Sequence, residues 1–218
     1  MDARKIGIVG GTFNPIHNVH LLLGEAAREQ FGLDRVIYMP SGCSYLKKDQ
    51  DIPSGELRYQ MVKLAIDSNP YFTCSRLEID REGNTYTIDT LNELKKMYPG
   101  DELYLILGGD TFKQIENWYK AEEIFKSCTL IAAVRDEMST EDMENQKKYL
   151  EDKFGADIEI LKFRNIDLSS SDIRERLQTG RSVRYMIPDA VVEFAILKNV
   201  YSSVPSPQKE DDVKVYVK

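Results

Sequence analysis

The chain contains few of the residues that identify several common classes of protein. Its 218 residues include three cysteines and two histidines. The cysteines, Cys43, Cys74 and Cys128, are scattered, and their spacing is not that of a zinc site. Because they look unpaired and no signal-peptide pattern is present, we expect a reducing, cytoplasmic compartment. No apolar run approaches the length of a bilayer-spanning helix, which argues against a membrane partner.

The chain also lacks a net positive charge, because 36 acidic residues outnumber 29 lysines and arginines and the formal net charge is −7 at pH 7. Proteins that bind nucleic acid without regard to sequence are usually basic, so DNA and RNA are not expected partners. The Gly-x-Gly-x-x-Gly fingerprint is absent, which removes the main support for a dehydrogenase. The length suffices for one large α/β domain with a substantial core. No internal repeat is visible, and no feature indicates an oligomeric state.

Short apolar runs alternate with helical patterns along the chain. Strands are predicted around residues 6–9, 35–39, 72–76, 103–107, 129–134 and 157–161. Helices are predicted over residues 16–31, 56–67, 87–97, 114–125, 139–154, 170–178 and 188–197. This alternation predicts βαβ units and a parallel sheet, that is, an α/β fold. We expect one domain over residues 1–201, followed by a linker-like, poorly ordered tail at 202–218.

Residues 5–20, KIGIVGGTFNPIHNVH, are the most informative segment. The glycine pair Gly10-Gly11 lets the backbone turn after a strand and lets a ligand approach closely. Thr12 and Asn14 can bond free amides, and the proline that follows suits the first turn of a helix. Strand, glycine turn and helix N-terminus together predict a phosphate site. A second glycine turn, at residues 108–110, would open into the same crevice.

The two histidines, His17 and His20, would lie on one face of that helix. Imidazoles at this place can meet charge that develops on a phosphate during a reaction. Alternatively, the two histidines could form half of a zinc site or a pair on the protein surface.

A serine-rich helix start follows about 150 positions later, in the segment LSSSDIR at residues 168–174. Its hydroxyls can cap a helix whose free amides suit an anion, and Arg174 can grip phosphate oxygens bidentately. We therefore expect the two helix N-termini to converge on one triphosphate.

Both segments resemble motifs of one nucleotidyltransferase family. The signature motif of this family is Gly-Gly-(Thr/Ser)-Phe-(Asp/Asn)-Pro-x-His-x-Gly-His, which residues 10–20 resemble. Residues 168–174 are similar to its Ile-Ser-Ser-Thr-x-Ile-Arg motif. Residues 75–91, the run YLILGGD at 104–110, and Asn117-Trp118 resemble the nicotinate mononucleotide adenylyltransferases within it. The resemblance covers residues 5–201.

This resemblance implies a Rossmann-like, three-layer parallel sheet with helices on both faces. It implies transfer of AMP from ATP to nicotinate mononucleotide, giving deamido-NAD and pyrophosphate in NAD biosynthesis, with Mg²⁺ carried by ATP and no dedicated metal residue. The catalytic residues it implies are His17, His20 and Arg174. The ATP-binding residues it implies are Gly10, Gly11, Thr12, Phe13, Lys47, Gly108, Asp110, Ser170 and Ser171. The residues it implies for the mononucleotide are Tyr86, Thr87 and Trp118.

The sequence departs from the family pattern at two places. Val19 stands where the family has a glycine between the histidines, and residues 43–48 read CSYLKK where a Pro-Pro-His-Lys run is common. Lys47 falls on the family's lysine, although residues 47–49 also suit a solvated turn. These departures motivate one alternative, a nucleotide-binding regulator that has lost turnover. A second alternative, the same reaction with nicotinamide mononucleotide, stays open because the acid and the amide are nearly isosteric.

Overall fold

Six strands form one parallel sheet at the centre of the molecule. A computed structural model describes residues 3–42, 52–133, 140–163 and 166–201. Within them the strand order is β3-β2-β1-β4-β5-β6, and every neighbouring pair is parallel. The strands are β1 Lys5–Gly11, β2 Arg35–Pro40, β3 Phe72–Cys74, β4 Glu102–Gly108, β5 Thr129–Ala133 and β6 Ile158–Leu161. The predicted α/β fold with a parallel sheet is confirmed.

Helices connect the strands and cover the sheet. They are α1 Asn18–Phe31, α2 Gly55–Ile66, α3 Thr87–Met97, α4 Gly109–Gln114, α5 Ala121–Phe125, α6 Thr140–Phe154, α7 Ser170–Gln178 and α8 Asp189–Leu197. A short 3₁₀ helix, Ile115–Asn117, lies between α4 and α5. No helix in the described part of the chain is both long and apolar enough to cross a bilayer.

The central strands are apolar on both faces, as strands covered on both sides must be, whereas the edge strands β3 and β6 expose Thr73 and Glu159. In β2, Val36 and Tyr38 belong to one buried cluster, whereas Ile37 and Met39 belong to the other. The first cluster includes buried residues of α1, α2, α7 and α8, and the second includes residues of α3, α4, α5 and α6. Successive side chains of a strand point to opposite faces, so the two clusters are the two sides of a three-layer structure.

Two details of the predicted helices are wrong. The single helix expected over residues 114–125 is divided, because Lys120 adopts a left-handed conformation (φ 55°) that interrupts helical geometry. Helix α1 begins at Asn18 rather than near Pro15, so Pro15 lies in the preceding loop, and His17 is its N-cap. The tail at 202–218 lies outside the described residues, and its proposed domain boundary stays a prediction.

The strand order places a ligand crevice beside the centre of the sheet. The chain runs outward from β1 to β2 and β3 on one side, and from β4 to β5 and β6 on the other. In open α/β sheets, ligands bind beyond the carboxyl ends of the strands where the order reverses. Here that point lies between β1 and β4, which end at Gly11 and Gly108.

Candidate active site

A cleft of about 540 Å³ lies at this point of the sheet. A smaller, polar cavity of about 270 Å³ adjoins it, and Thr12, His20 and Ser170 line both. The other predicted residues on the walls are Gly10, Gly11, His17, Tyr86, Thr87, Gly108 and Trp118 in the cleft, and Phe13, Ser171 and Arg174 in the smaller cavity. The structure thus gathers residues from both ends of the chain around one opening.

The glycines at the two strand ends leave room for a ligand. A Cβ atom built on Gly10 or on Gly108 would meet no atom of the described protein within 4 Å, and neither residue has a left-handed φ. Neither protein packing nor backbone conformation therefore requires glycine at these two positions. Both line the cleft, so the space beside them suits close approach by a bound molecule.

The two histidines form a stacked pair at the start of α1. Their ring centroids are 3.7 Å apart, and His17 is only 4% exposed. The backbone N–H of His17 donates to Nδ1 of His20 at 3.2 Å. Because Nδ1 accepts this bond, the proton of a neutral His20 ring lies on Nε2. The edge-on ring of Phe13, 5.1 Å away between centroids, restrains His20 from another side.

Tyr38 supports the same turn of α1 from the sheet. Its hydroxyl donates to the backbone carbonyl of His20 at 3.1 Å, and its burial raises the pKa of that phenol. A Cβ on Gly24 would collide with the Tyr38 hydroxyl. Gly24 therefore allows the ring to pack beneath α1. The sequence analysis assigned no role to either residue, because a tyrosine in a strand and a glycine in a helix carry no functional pattern.

The start of α7 is bound to the loop between β1 and α1. The hydroxyl of Ser170 donates to the carbonyl of Pro15 at 2.9 Å, and Nη1 of Arg174 donates to the carbonyl of Asn14 at 2.8 Å. Nη2 of Arg174 donates to the hydroxyl of Ser171 at 3.1 Å. These bonds confirm the expected convergence of two segments that lie 155 to 160 positions apart.

The lining of the cleft includes aromatic residues at its other end. Tyr86 is the N-cap of α3, Thr87 is its first residue, and Trp118 is half-buried beside them in the lining. The ring of Tyr86 packs against Tyr119, with centroids 4.4 Å apart. A flat aromatic surface and a helix N-terminus therefore border the same space, an arrangement that suits a ring with a negatively charged substituent.

The sequence alone gave no indication that a half-buried carboxyl group, that of Glu78, lies on this wall. Glu78 lines the cleft and accepts a hydrogen bond from the Thr90 hydroxyl at 2.8 Å. Thr90 in turn accepts from Arg81 at 3.0 Å, and Arg81 pairs with Glu93 at 2.6 Å. Burial raises the pKa of Glu78, although Thr90 and the nearby arginines oppose that change. A single acidic residue in a mixed segment gives no signal of such a position.

One predicted contact does not line either cavity, and another cannot be placed. Asp110 is exposed on the first turn of α4 and does not appear among the described residues that line either cavity. Lys47 lies outside the described residues. Val19, the departure from the family pattern, is 6% exposed and lines the cleft. Within the described ranges, no group of three or more histidine, cysteine or acidic side chains could hold a metal ion.

Comparison with known proteins agrees with this geometry. A family model for cytidylyltransferase-like proteins matches residues 8–176. A probable nicotinate-nucleotide adenylyltransferase of Lachnoclostridium phytofermentans is 43% identical over 198 residues, covering 91% of this chain and 99% of the relative. One from Dehalococcoides mccartyi is 42% identical over 205 residues, covering 92% of this chain and 98% of the relative.

Solved structures show the same fold. The nicotinic acid mononucleotide adenylyltransferase of Plasmodium falciparum complexed with NaAD superposes with a TM-score of 0.74 at 18% identity, covering 91% of this chain and 97% of that one. A putative nicotinate-nucleotide adenylyltransferase of Vibrio parahaemolyticus gives a TM-score of 0.65 at 22% identity, covering 92% and 97%. The resemblance noted in the sequence is thereby confirmed: the chain belongs to the cytidylyltransferase-like family and, within it, to the nicotinate-nucleotide adenylyltransferases.

Proposed function

We propose that the protein transfers the AMP group of ATP to nicotinate mononucleotide, in the synthesis of NAD. One observation carries the proposal beyond the family relationship. The histidine turn of α1 and the start of α7 meet in one polar cavity, and this cavity adjoins a cleft that reaches the N-terminus of α3 and Trp118. A triphosphate fits the first part, and a pyridine nucleotide fits the second.

The reaction is a single displacement at phosphorus. An oxygen of the 5′-phosphate of nicotinate mononucleotide attacks the α-phosphorus of ATP and forms a new P–O bond. The bond from the α-phosphorus to the oxygen it shares with the β-phosphorus breaks, and pyrophosphate leaves with the electron pair. The products are deamido-NAD and pyrophosphate. Such a reaction requires positioning and stabilisation of charge rather than a covalent intermediate on the protein.

His20 is assigned to the developing charge on the transferred phosphate. Its Nδ1 accepts the backbone N–H of His17, so in the neutral ring the proton lies on Nε2, from which it can be donated to a phosphate oxygen. The stacked ring of His17 and the edge of Phe13 keep the imidazole in place. A donor that is already oriented before the reaction stabilises the transition state without a cost of reorganisation.

Arg174 is assigned to the distal phosphates. Among the described residues its hydrogen bonds are those to Asn14 and Ser171, so the remaining N–H groups of the guanidinium can bind phosphate oxygens. Ser170 and Ser171 lie on the first turn of α7, where free amides and the helix dipole also favour an anion. Mg²⁺ belongs to the proposal as the ion that enters with ATP, bound by the phosphate oxygens.

The pyridine ring is assigned to the face of Trp118. The carboxylate of the ring would then approach the N-terminus of α3, where Tyr86 and Thr87 lie. A helix N-terminus favours an anion over a neutral carboxamide. This preference supports nicotinate mononucleotide as the substrate, rather than its amide.

The test measures pyrophosphate release with Mg·ATP and each of the two mononucleotides. We expect release with both the protein and nicotinate mononucleotide present, a much lower rate with the amide, and loss of the rate when EDTA removes Mg²⁺. A faster reaction with the amide would overturn the substrate assignment. Binding of ATP without pyrophosphate release from either mononucleotide would overturn the catalytic function and favour a regulator.

A further inference from the structure

Arg58, on the first turn of α2, is a buried cation that holds main chain from three segments. Only 4% of the residue is exposed. Nη1 donates to the carbonyl of Thr12 at 2.8 Å, Nη2 to the carbonyl of Ser41 at 2.6 Å, and Nε to the carbonyl of Pro53 at 3.1 Å. All three acceptors are neutral.

This arrangement is unusual, because buried arginines are normally paired with carboxylates. No ion pair of Arg58 is present in the described part of the chain. Burial lowers the pKa of the guanidinium, and only Tyr201 and Glu78 oppose that change through space. An arginine nevertheless stays charged at neutral pH. The fold therefore carries the cost of a buried charge whose hydrogen bonds go to loop carbonyls.

Two of the residues whose carbonyls bind Arg58 are part of the cleft. Thr12 follows β1 and Ser41 follows β2, and these neighbouring strands end at the paired residues Gly11 and Pro40. Thr12 and Ser41 both line the cleft, whereas Arg58 does not. A backbone hydrogen bond from Ser41 to Gly11, 2.9 Å long, joins the same loops. Arg58 thus fixes the loops from behind the surface that faces a ligand.

We propose that Arg58 is a positioning residue for ATP, which sets the spacing of the loops after β1 and β2 and so orients the glycine turn toward the phosphates. This inference rests on the proposed adenylyltransferase function. The rigid fork of the guanidinium suits the task, because its two Nη atoms reach Thr12 and Ser41 at once. A lysine in its place offers one nitrogen and cannot reproduce that geometry.

The expected effect is selective for one substrate. In the proposed function, the glycine turn that contains Thr12 binds the triphosphate before the reaction as well as during it, so its displacement should weaken ATP binding more than it slows turnover. Trp118 and the N-terminus of α3 receive no hydrogen bond from Arg58. We expect Arg58→Lys to raise the Kd for Mg·ATP by about tenfold or more, to change the Kd for nicotinate mononucleotide by less than about threefold, and to change kcat less than the ATP Kd.

The experiment compares the wild-type protein with Arg58→Lys, Arg58→Gln and a control, Val62→Ala. Val62 lies one turn further along α2 and is fully buried, but it does not line the cleft. Its shortening tests whether a general loss of packing in this helix produces the same effect. Calorimetric titration with Mg·ATP and with the mononucleotide gives each Kd, thermal unfolding reports folding, and pyrophosphate release gives kcat.

A selective loss of ATP affinity in both Arg58 variants, absent from Val62→Ala, would support the proposal. Three outcomes would overturn it: an ATP Kd for Arg58→Lys within about threefold of wild type, equal losses for both ligands, or the same selective loss in Val62→Ala. Failure of both Arg58 variants to fold would also overturn it, since Arg58 would then serve folding alone. Failure of the proposed function is distinct, because it would appear in the wild-type titrations and turnover.

Discussion

The two ends of the cleft are held together in different ways. At the phosphate end, around His20 and Arg174, side chains donate to main-chain carbonyls that lie 155 and 160 positions away. At the pyridine end, around Thr87 and Trp118, the bonds link side chains that lie close in the sequence: Glu78 with Thr90, and Arg81 with Glu93, each 12 positions apart. The bonds at the first end therefore form only when the whole domain is assembled, whereas the hydrogen bonds named at the second end lie within one stretch of chain.

This difference separates two tasks of one reaction. Under the proposed function, the phosphate end is assigned the stabilisation of charge that any nucleotidyl transfer develops, and the pyridine end is assigned the selection of the acceptor. Substitutions at the first should change ATP binding and turnover, and substitutions at the second should change the affinity for the mononucleotide. If the two sets of constants always changed together, the division of the cleft would be wrong.

The largest effect is expected from His20→Ala at the phosphate end. Loss of one oriented donor to the transition state typically lowers kcat by roughly 10²–10³-fold. We expect this fall in pyrophosphate release at saturating substrates. Leu22→Ala, on the exposed side of the same helix, serves as the control and should keep nearly full activity. A decrease of less than about threefold for His20→Ala would remove His20 from the mechanism.

Arg174→Ala should act mainly on ATP. Charge-assisted hydrogen bonds contribute about 1.5–3 kcal/mol each, so we expect the KM for ATP to rise by roughly 10–100-fold. Arg176→Ala is a matched control on the same helix, because Arg176 pairs with Asp172 at 3.1 Å and lies outside both cavities. Similar increases for the two variants would show that the effect comes from α7 as a whole and not from the cavity.

The phosphate end was predictable from sequence because its signals are local. Glycine pairs after strands and serines before a helix act on the nearest backbone, so the pattern at residues 10–12 and 169–171 indicates their positions without knowledge of the fold. The residues that support them were not predictable. Arg58, Tyr38 and Gly24 act through contacts that exist only after α1, α2 and the sheet have packed.

The division of the helix predicted over residues 114–125 was also not predictable from the sequence. The apolar spacing there predicts one helix, but Lys120 adopts a left-handed conformation that the spacing of apolar residues does not reveal. At the pyridine end, the resemblance placed Tyr86, Thr87 and Trp118 on the wall, while Glu78 became visible only through its burial.

At the pyridine end of the cleft, Trp118→Ala should weaken the binding of nicotinate mononucleotide but not that of ATP. Stacking of a base on an aromatic side chain is worth about 1–3 kcal/mol. If the pyridine ring stacks in this way, the KM for nicotinate mononucleotide should rise by roughly tenfold, while the KM for ATP should change by less than about threefold. Trp118→Phe, which keeps an aromatic face, should lose much less. An equal rise in both constants would place Trp118 outside the acceptor site.

The packing behind His20 can be tested by a pair of substitutions. Gly24→Ala forces a methyl group against the Tyr38 hydroxyl, and overpacking of this kind costs about 1–3 kcal/mol. In Gly24→Ala/Tyr38→Phe the hydroxyl is gone, and the nearest remaining atom, Cζ of residue 38, lies 3.1 Å from the new Cβ. We expect the double variant to recover part of both the thermal stability and the turnover. Additive losses would contradict this account of Gly24.

The smallest effect concerns Glu78 and pH. Burial raises the pKa of Glu78 above its ordinary value of 4.5, so the folded protein holds that proton more tightly than the unfolded chain does. The corresponding stability is fully present below pH 4.5 and is lost as the pH rises through the raised pKa. A glutamine cannot ionise. Thermal unfolding of Glu78→Gln should therefore lack this loss, and its Tm should improve relative to wild type as the pH rises above 4.5.

The same substitution tests whether the two ends of the cleft respond independently to pH. An ionised Glu78 on the wall of the pyridine end would repel the carboxylate of nicotinate mononucleotide, so the wild-type KM for that substrate should rise with pH more than the KM of Glu78→Gln. The KM for ATP should follow the same pH dependence in both proteins. Glu82→Gln, at an exposed position of the same segment, should match wild type in every measurement. Parallel Tm and KM profiles for wild type and Glu78→Gln would show that Glu78 does not ionise over the pH range measured. Selection of the acceptor would then depend on Trp118 and the N-terminus of α3 without a contribution from Glu78.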